Sequence, residues 1–175
     1  MIKSENISLR AIEPHDVDKI FEWENNTEVW HLSNTLAPFS RFEIEQYVLN
    51  AAKDIYAARQ LRLMIDLTAN EKTETIGSVD LFDFDPLNKR AGIGILIDQR
   101  KRKNGYASEA LGLIIKYAKE ILNLHQLYCN IEEDNQISLN LFLKMNFKTI
   151  GLKKDWNLRN GNWINEYTLQ YILTD

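Results

Sequence analysis

From Gly105 to Leu122 the chain places Ala107, Ala110, Leu111, Ile114, Ile115, Ala118, Ile121 and Leu122 at three- and four-residue spacing. Such a run folds as a helix with one broad apolar face, and that face has to be laid on a sheet. The rest of the chain supplies the strands. Ile7 to Ile12 alternates as a strand does, Leu61 to Leu67 and Thr75 to Phe82 read as two more, and Ala91 to Ile97 follows the turn residues Asp85, Pro86, Leu87 and Asn88. Leu127 to Ile131 is a short apolar strand, and Asn160-Gly161 marks a tight hairpin between Phe147 to Leu158 and Trp163 to Leu173.

Three further helices complete the pattern. Glu13-Pro14 opens one with Val17, Ile20, Phe21 and Trp23 on its periodic face, and Asn25-Asn26 closes it. A second starts near Ser40, with Ile44, Tyr47 and Val48 on one side. A third runs from Asn135 to Met145 with Leu139, Leu141 and Phe142 inward, and Asn146 stands where a left-handed cap is wanted. The order β-α-α-β-β-β-α-β-α-β-β predicts an α/β three-layer domain, its central mixed, mostly antiparallel sheet flanked by helices. Without repeats or a Pro/Gly/Ser-rich linker, residues 1–175 read as a single domain.

Composition narrows the function classes. At 45% hydrophobic and 26% charged residues the chain is an ordinary globular sequence. A net charge of -4 argues against general nucleic-acid binding and mildly favours a cationic partner. The N-terminal residues lack the apolar core of a secretory signal, and no later stretch suits a membrane span, so no membrane partner is expected. The lone Cys129 sits in an apolar run and fits a reducing compartment, which makes the cytoplasm the expected location. His15, His31 and His125 are scattered without metal-ligand spacing, so no metal is expected.

The chemistry-bearing stretch is Ile95-Leu96-Ile97-Asp98-Gln99-Arg100-Lys101-Arg102-Lys103-Asn104-Gly105-Tyr106-Ala107-Ser108. An apolar strand ends, a basic loop follows, and a glycine opens the long helix. Consecutive backbone N–H groups in such a loop converge on one spot, the helix dipole adds positive charge, and Gly105 lets backbone approach a ligand. A pyrophosphate suits that cradle. The bland reading is a solvated basic turn, since strand, loop, glycine and helix recur in most α/β proteins. A dinucleotide fingerprint requires three spaced glycines, and a nucleotide P-loop requires Gly-Lys-Ser or Gly-Lys-Thr. This loop has neither.

Arg102-Lys103-Asn104-Gly105-Tyr106-Ala107 resembles the Gln/Arg-x-x-Gly-x-Gly/Ala signature of the GNAT N-acetyltransferases. Asn88-Lys89-Arg90-Ala91, Leu124-His125-Gln126-Leu127-Tyr128, and Asn135 through Leu141-Phe142-Leu143-Lys144-Met145-Asn146-Phe147 are similar to further family segments in the same order. The likeness spans nearly the whole chain. It is greatest to the branch of diamine/spermidine acetyltransferases and ribosomal-protein N-terminal acetyltransferases, in which Leu9-Arg10 opens the domain.

The resemblance implies an acetyl-CoA-dependent acyltransferase acting on a small-molecule or peptide amine. It implies that Arg102, Lys103, Asn104, Gly105, Tyr106, Ala107 and Ser108 hold the CoA pyrophosphate, and that Ile95, Leu96 and Ile97 pair with the pantetheine arm. Asn135 would contact the cofactor arm, or serve only as a helix cap. The family's thiolate-protonating Tyr falls on Phe142, which has no proton to give, and a Glu common after Asn-x-Arg-Ala is Gly92 here. Asp80 is then the foremost candidate base, with Glu28 and Asp83 behind it, although each by itself reads more readily as solvated surface. Glu28, Trp30 and Asp83 are the candidate acceptor-binding residues. Three functions stay open at this point: acetylation of a polyamine or diamine, acetylation of protein N-termini, and a catalytically weak acyl-CoA-binding module. A second copy of the chain could pair along the last hairpin, where Trp163 and Tyr167 lie.

Overall fold

The protein's structure, a computed structural model, describes residues 2–33, 35–51, 54–69 and 72–173. They fall into two compact units, residues 1–11 with 55–175, and residues 12–54. The larger unit holds the sheet: β1 (Ile2–Lys3), β2 (Ile7–Arg10), β3 (Gln60–Ala69), β4 (Lys72–Asp85), β5 (Arg90–Ile97), β6 (Gln126–Glu132), β7 (Lys148–Arg159) and β8 (Asn162–Ile172). Their spatial order is β1-β2-β3-β4-β5-β6-β8-β7. Every neighbouring pair is antiparallel except β5 and β6. A parallel pair needs a crossover, and the long helix predicted from its periodicity provides it between those two strands as Tyr106–Glu120.

That fixes where the core lies. Register puts Leu63, Val79 and Ile95 in one row and Leu61, Leu81 and Ile93 in the next, all on one face of the sheet. Leu111, Ile114 and Ala118 of the crossover helix join them in a single buried cluster, and Phe142 and Phe147 extend it, their rings edge to face at 5.0 Å. The opposite face of the same rows carries Arg62, Asp80 and Gly94, then Gln60, Phe82, Gly92 and Tyr128. That face therefore carries polar side chains, aromatic rings and glycines where the other carries the core.

In the smaller unit, Pro14–Asp16 forms a single 3-10 turn ahead of α1 (Val17–Glu24), and α2 (Trp30–Ser33) precedes α3 (Arg41–Leu49). Ser40 and Glu43 cap α3 reciprocally, Ser40 Oγ accepting from the Glu43 N–H and Glu43 Oε2 from the Ser40 N–H. α1 and α3 pack together with Val17, Ile20, Ile44 and Val48 buried, and Arg41 meets Asp18 at 2.7 Å. α4 (Ile55–Ala58) leads into β3, the crossover helix is α5, and α6 (Gln136–Lys144) follows β6.

The short elements and the last hairpin differ from the sequence reading. β1, α2 and α4 span only two to four residues, too few for a period to declare itself. In the last hairpin β8 lies between β6 and β7 over residues 166–172, so along that stretch the free edge belongs to β7, while Trp163 at the hairpin end is exposed. Tyr167 of β8 is half-buried beside Glu133, whereas Ile150, Trp156 and Leu158 of β7 are exposed.

Candidate active site

β5 and β6 pair only at their starts: Arg90 with Gln126, Ala91 with Leu127, Gly92 with Tyr128. Beyond Gly92 the two strands part. The hydrogen-bonding side of each β5 residue follows from its ladder with β4. The Asp98 N–H donates to Ile76 O at 2.8 Å, so the facing pair Gly77–Ile97 is a non-hydrogen-bonded one. Alternation then turns Leu96 and Gly94 towards β4, and Ile95 and Ile97 away from it, into the gap. An interior strand thus presents free amide and carbonyl groups, an edge an extended amide-bearing chain can pair with. Ile97 O already accepts from Arg102 Nε at 2.9 Å, closing the far end.

At that end lies the basic loop. Gln99–Lys101 forms a 3-10 turn capped by Asp98, Lys103 takes a left-handed conformation at φ 65°, and Gly105 takes another at φ 85° as the residue ahead of α5. A Cβ on Gly105 would meet nothing within 4 Å, so the space in front of it is open. α3 and α6 receive a side-chain cap from Ser40 and Asn135, but Gly105 has none to offer α5. The first backbone bond into that turn is from the Glu109 N–H to Gly105 O at 3.1 Å, which leaves the N–H groups of Tyr106, Ala107 and Ser108 facing outward. These donors and the helix dipole favour an anion. The basic run itself is partly spent: Arg100 clasps Asp98 at 2.7 Å and Lys101 meets Glu74 at 2.6 Å. Asn104 folds back on the carbonyls of Lys101 and Arg102, while Lys103 stays exposed.

The remaining candidates lie as follows. Asn135 caps α6, its Oδ1 accepting from the Ser138 N–H at 3.2 Å. Phe142 is 3% exposed and packed edge-on against Phe147, a core residue in every respect. Asp80 stands opposite Gly94 on the polar face, where its Oδ1 accepts from Arg62 Nε at 2.7 Å and from Gln60 Nε2 at 3.4 Å. Asp83 is exposed at a bulge between β4 and β5, in a left-handed conformation at φ 49°. In the smaller unit Glu28 is exposed, and Trp30 is half-buried with its indole N–H on Glu24 O at 2.8 Å. Sequence reasoning missed Arg62 as the partner of Asp80, eighteen residues away, because that pairing depends on the β3–β4 register. Tyr128 is the last β6 residue to pair with β5, so it marks the point where the gap opens.

The acetyltransferase (GNAT) domain family matches residues 6–148, more than half the chain. The chain is a GNAT acetyltransferase. Among its relatives, the N-acetyltransferase p20 of Bacillus licheniformis, itself uncharacterised, is 27% identical over 169 residues, covering 97% of this chain and 94% of the other. Spermidine N(1)-acetyltransferase of Escherichia coli K12 is 24% identical over 168 residues, covering 94% and 85%. The fold matches that of spermidine N-acetyltransferase from Vibrio cholerae, solved in complex with CoA and spermine, with a TM-score of 0.84 at 22% identity over 95% of each chain. This GNAT acetyltransferase is accordingly an acyltransferase with acetyl-CoA as co-substrate, and the residues around the β5–β6 gap suit that molecule: an extended amide-containing arm along a free strand edge and a pyrophosphate at an uncapped helix start. Among the described residues no helix is long and apolar enough to cross a membrane.

Proposed function

We propose that this single-domain enzyme, spanning residues 1–175, transfers the acetyl group of acetyl-CoA to a primary amine of a polyamine or diamine, by direct attack within a ternary complex. The observation that carries the reading is the free edge of β5 past Gly92, ending beside the uncapped start of α5. Ile95 and Ile97 pair with the pantetheine amides, Leu96 keeps the strand on β4, and residues 102–108 receive the pyrophosphate, with the Asn135 amide reaching the arm from α6. The amine lone pair attacks the thioester carbonyl carbon, an N–H of the free edge stabilises the oxyanion, and the C–S bond breaks to release CoA thiolate. The amine proton passes to Asp80 through water. The thiolate takes its proton from water, because Phe142 has none to supply.

The polyamine class is supported by the spermidine acetyltransferases among the relatives and by the exposed Asp83 carboxylate, together with a net charge of -4. We further propose a cytoplasmic location, fitting the buried free thiol of Cys129, and a homo-oligomer joined along the exposed edge of β7. Calorimetric titration with acetyl-CoA, followed by a panel of spermidine, spermine, diamines and a peptide with a free N-terminus, tests the assignment. CoA release with the polyamines supports it. No release above the hydrolysis background with millimolar polyamine, against clear release with the peptide, replaces the polyamine by a protein N-terminus.

A further inference from the structure

Gly92 carries more than an absence of side chain. A Cβ built there would lie 2.2 Å from Phe82 Cε2 and 2.6 Å from Cζ, so the Phe82 ring rests directly on the Gly92 backbone. Only glycine lets it do so. On the other side of Gly92 stands Tyr128, its ring edge to face with Phe82 at 6.3 Å between centroids. Next along β5 is Gly94, whose Cβ position is 3.7 Å from Phe82 Cε1, so the floor beside the rings is bare backbone as well. Two half-buried aromatic rings, one laid over Gly92 and the other beside it, therefore stand next to the bare backbone of Gly94 at the point where β5 and β6 part, on the face opposite α5. Among the described residues the Tyr128 hydroxyl has no hydrogen-bond partner.

The charge beside this recess is set by few groups. Burial pushes the Tyr128 hydroxyl up, and the nearby Asp83 carboxylate pushes it further, with Arg90, Arg59 and Asp85 acting less. Arg90 and Asp85 are paired with each other at 3.0 Å, and Asn88 also holds Asp85. That leaves Asp83 as the main carboxylate and Arg59 as the opposing cation, both exposed.

We infer that Phe82, Tyr128 and Asp83 form a recess for the non-reacting ammonium of the acceptor, selecting diamines over monoamines of equal length. The inference rests on the reading of the β5–β6 gap as the acetyl-CoA site and adds to it the residues that choose the amine. Aromatic faces attract an ammonium through their quadrupole, and the short methylene spacer of a diamine packs on the bare backbone at Gly94. Reaction at one nitrogen and recognition at the other then fall to separate groups.

The test compares kcat/KM for butane-1,4-diamine and butan-1-amine in the wild type and in Phe82→Leu, Tyr128→Leu and Asp83→Asn. Cation–π strength predicts that each aromatic change cuts the diamine preference by about tenfold. Asp83→Asn cuts it by roughly threefold, as suits an exposed charge. The acetyl-CoA Kd stays within about twofold throughout, since the proposed contacts to that molecule are backbone groups of Ile95 and Ile97 and the start of α5, none of which these variants alter. Asn tolerates left-handed backbone, so Asp83→Asn folds even where a ring variant fails. An unchanged preference in these variants, with turnover intact, overturns the inference alone. No acetyl-CoA binding by the wild type overturns the reading beneath it.

Discussion

Gly105→Ala and Gly161→Ala together separate the function of a glycine from its conformation. Gly105 has φ 85° and Gly161 has φ 79°, and a Cβ at either position meets no atom within 4 Å. An L-residue held in that region costs about 1–2 kcal/mol. The alanine also removes freedom from the unfolded chain, which returns about 0.4–1 kcal/mol. Each variant should therefore lose about 1 kcal/mol, a fall in Tm of about 2–4 °C for a chain of this size. Their effects on ligand binding should differ. Gly161 sits in the turn between β7 and β8, while Gly105 stands in front of the free N–H groups of α5. A methyl group there pushes a pyrophosphate back from donors worth about 1.5–3 kcal/mol each when charged, so Gly105→Ala should bind acetyl-CoA roughly ten- to a hundredfold more weakly. Gly161→Ala should bind like wild type. Thermal unfolding checks the first pair of numbers and calorimetry the second. Equal acetyl-CoA affinities in two variants of equal stability would refute the assignment of the cradle to Gly105.

Other consequences can be measured on the same protein. Cys129 is buried, and desolvation pushes its thiol up to about 12; it should resist alkylation until the chain unfolds, which labelling across a urea series reads directly. The unfolded thiol ionises near pH 8.5 while the folded one keeps its proton. Stability should therefore fall as pH rises from there towards 12, and Cys129→Val should flatten that part of the curve. Phe142→Tyr should raise turnover by placing a proton donor on α6, with some loss of stability because the ring is 3% exposed; unchanged turnover in a folded variant would show that thiolate protonation does not limit the reaction. Arg159 pairs with Glu132, which is 6% exposed, at 3.0 Å, so Arg159→Met should destabilise by about 1.5–3 kcal/mol in urea unfolding through the lost charged hydrogen bond.

Local chemistry made most of the fold legible. The periodicity of residues 105–122 placed α5 to within two residues at its C-terminal end, because its apolar face is continuous. Asn146 at φ 67° and the Asn160-Gly161 turn at φ 51° and 79° stand where short-range sterics require them. What the sequence did not show is nonlocal. The interior place of β8 follows from its pairing with β6, some forty residues away, and no feature of the hairpin itself reveals which strand keeps a free edge. The extension of β4 to Asp85 was hidden by the bulge at Asp83, where a turn-forming residue sits inside a strand.

For the site, the same division decides which residues could be read and how they were misweighed. The sequence reads the loop from Asp98 to Gly105 as a cradle, and its four consecutive cations suggest a side-chain field. Folding brings Glu74 of β4 to Lys101 and turns Asp98 onto Arg100, so two of those charges are matched by carboxylates. A third, Arg102, turns its Nε to the carbonyl of Ile97. What remains constant at the spot is the backbone: the N–H groups at the start of α5, which no side chain caps, and the edge of β5 that β6 abandons after Gly92. Backbone donors keep their direction whatever the neighbouring side chains do, whereas exposed lysines and arginines are screened and exchange partners. The anion affinity proposed for this loop therefore rests on the left-handed turn that Lys103 and Gly105 make possible more than on the basic residues that first draw the eye to it.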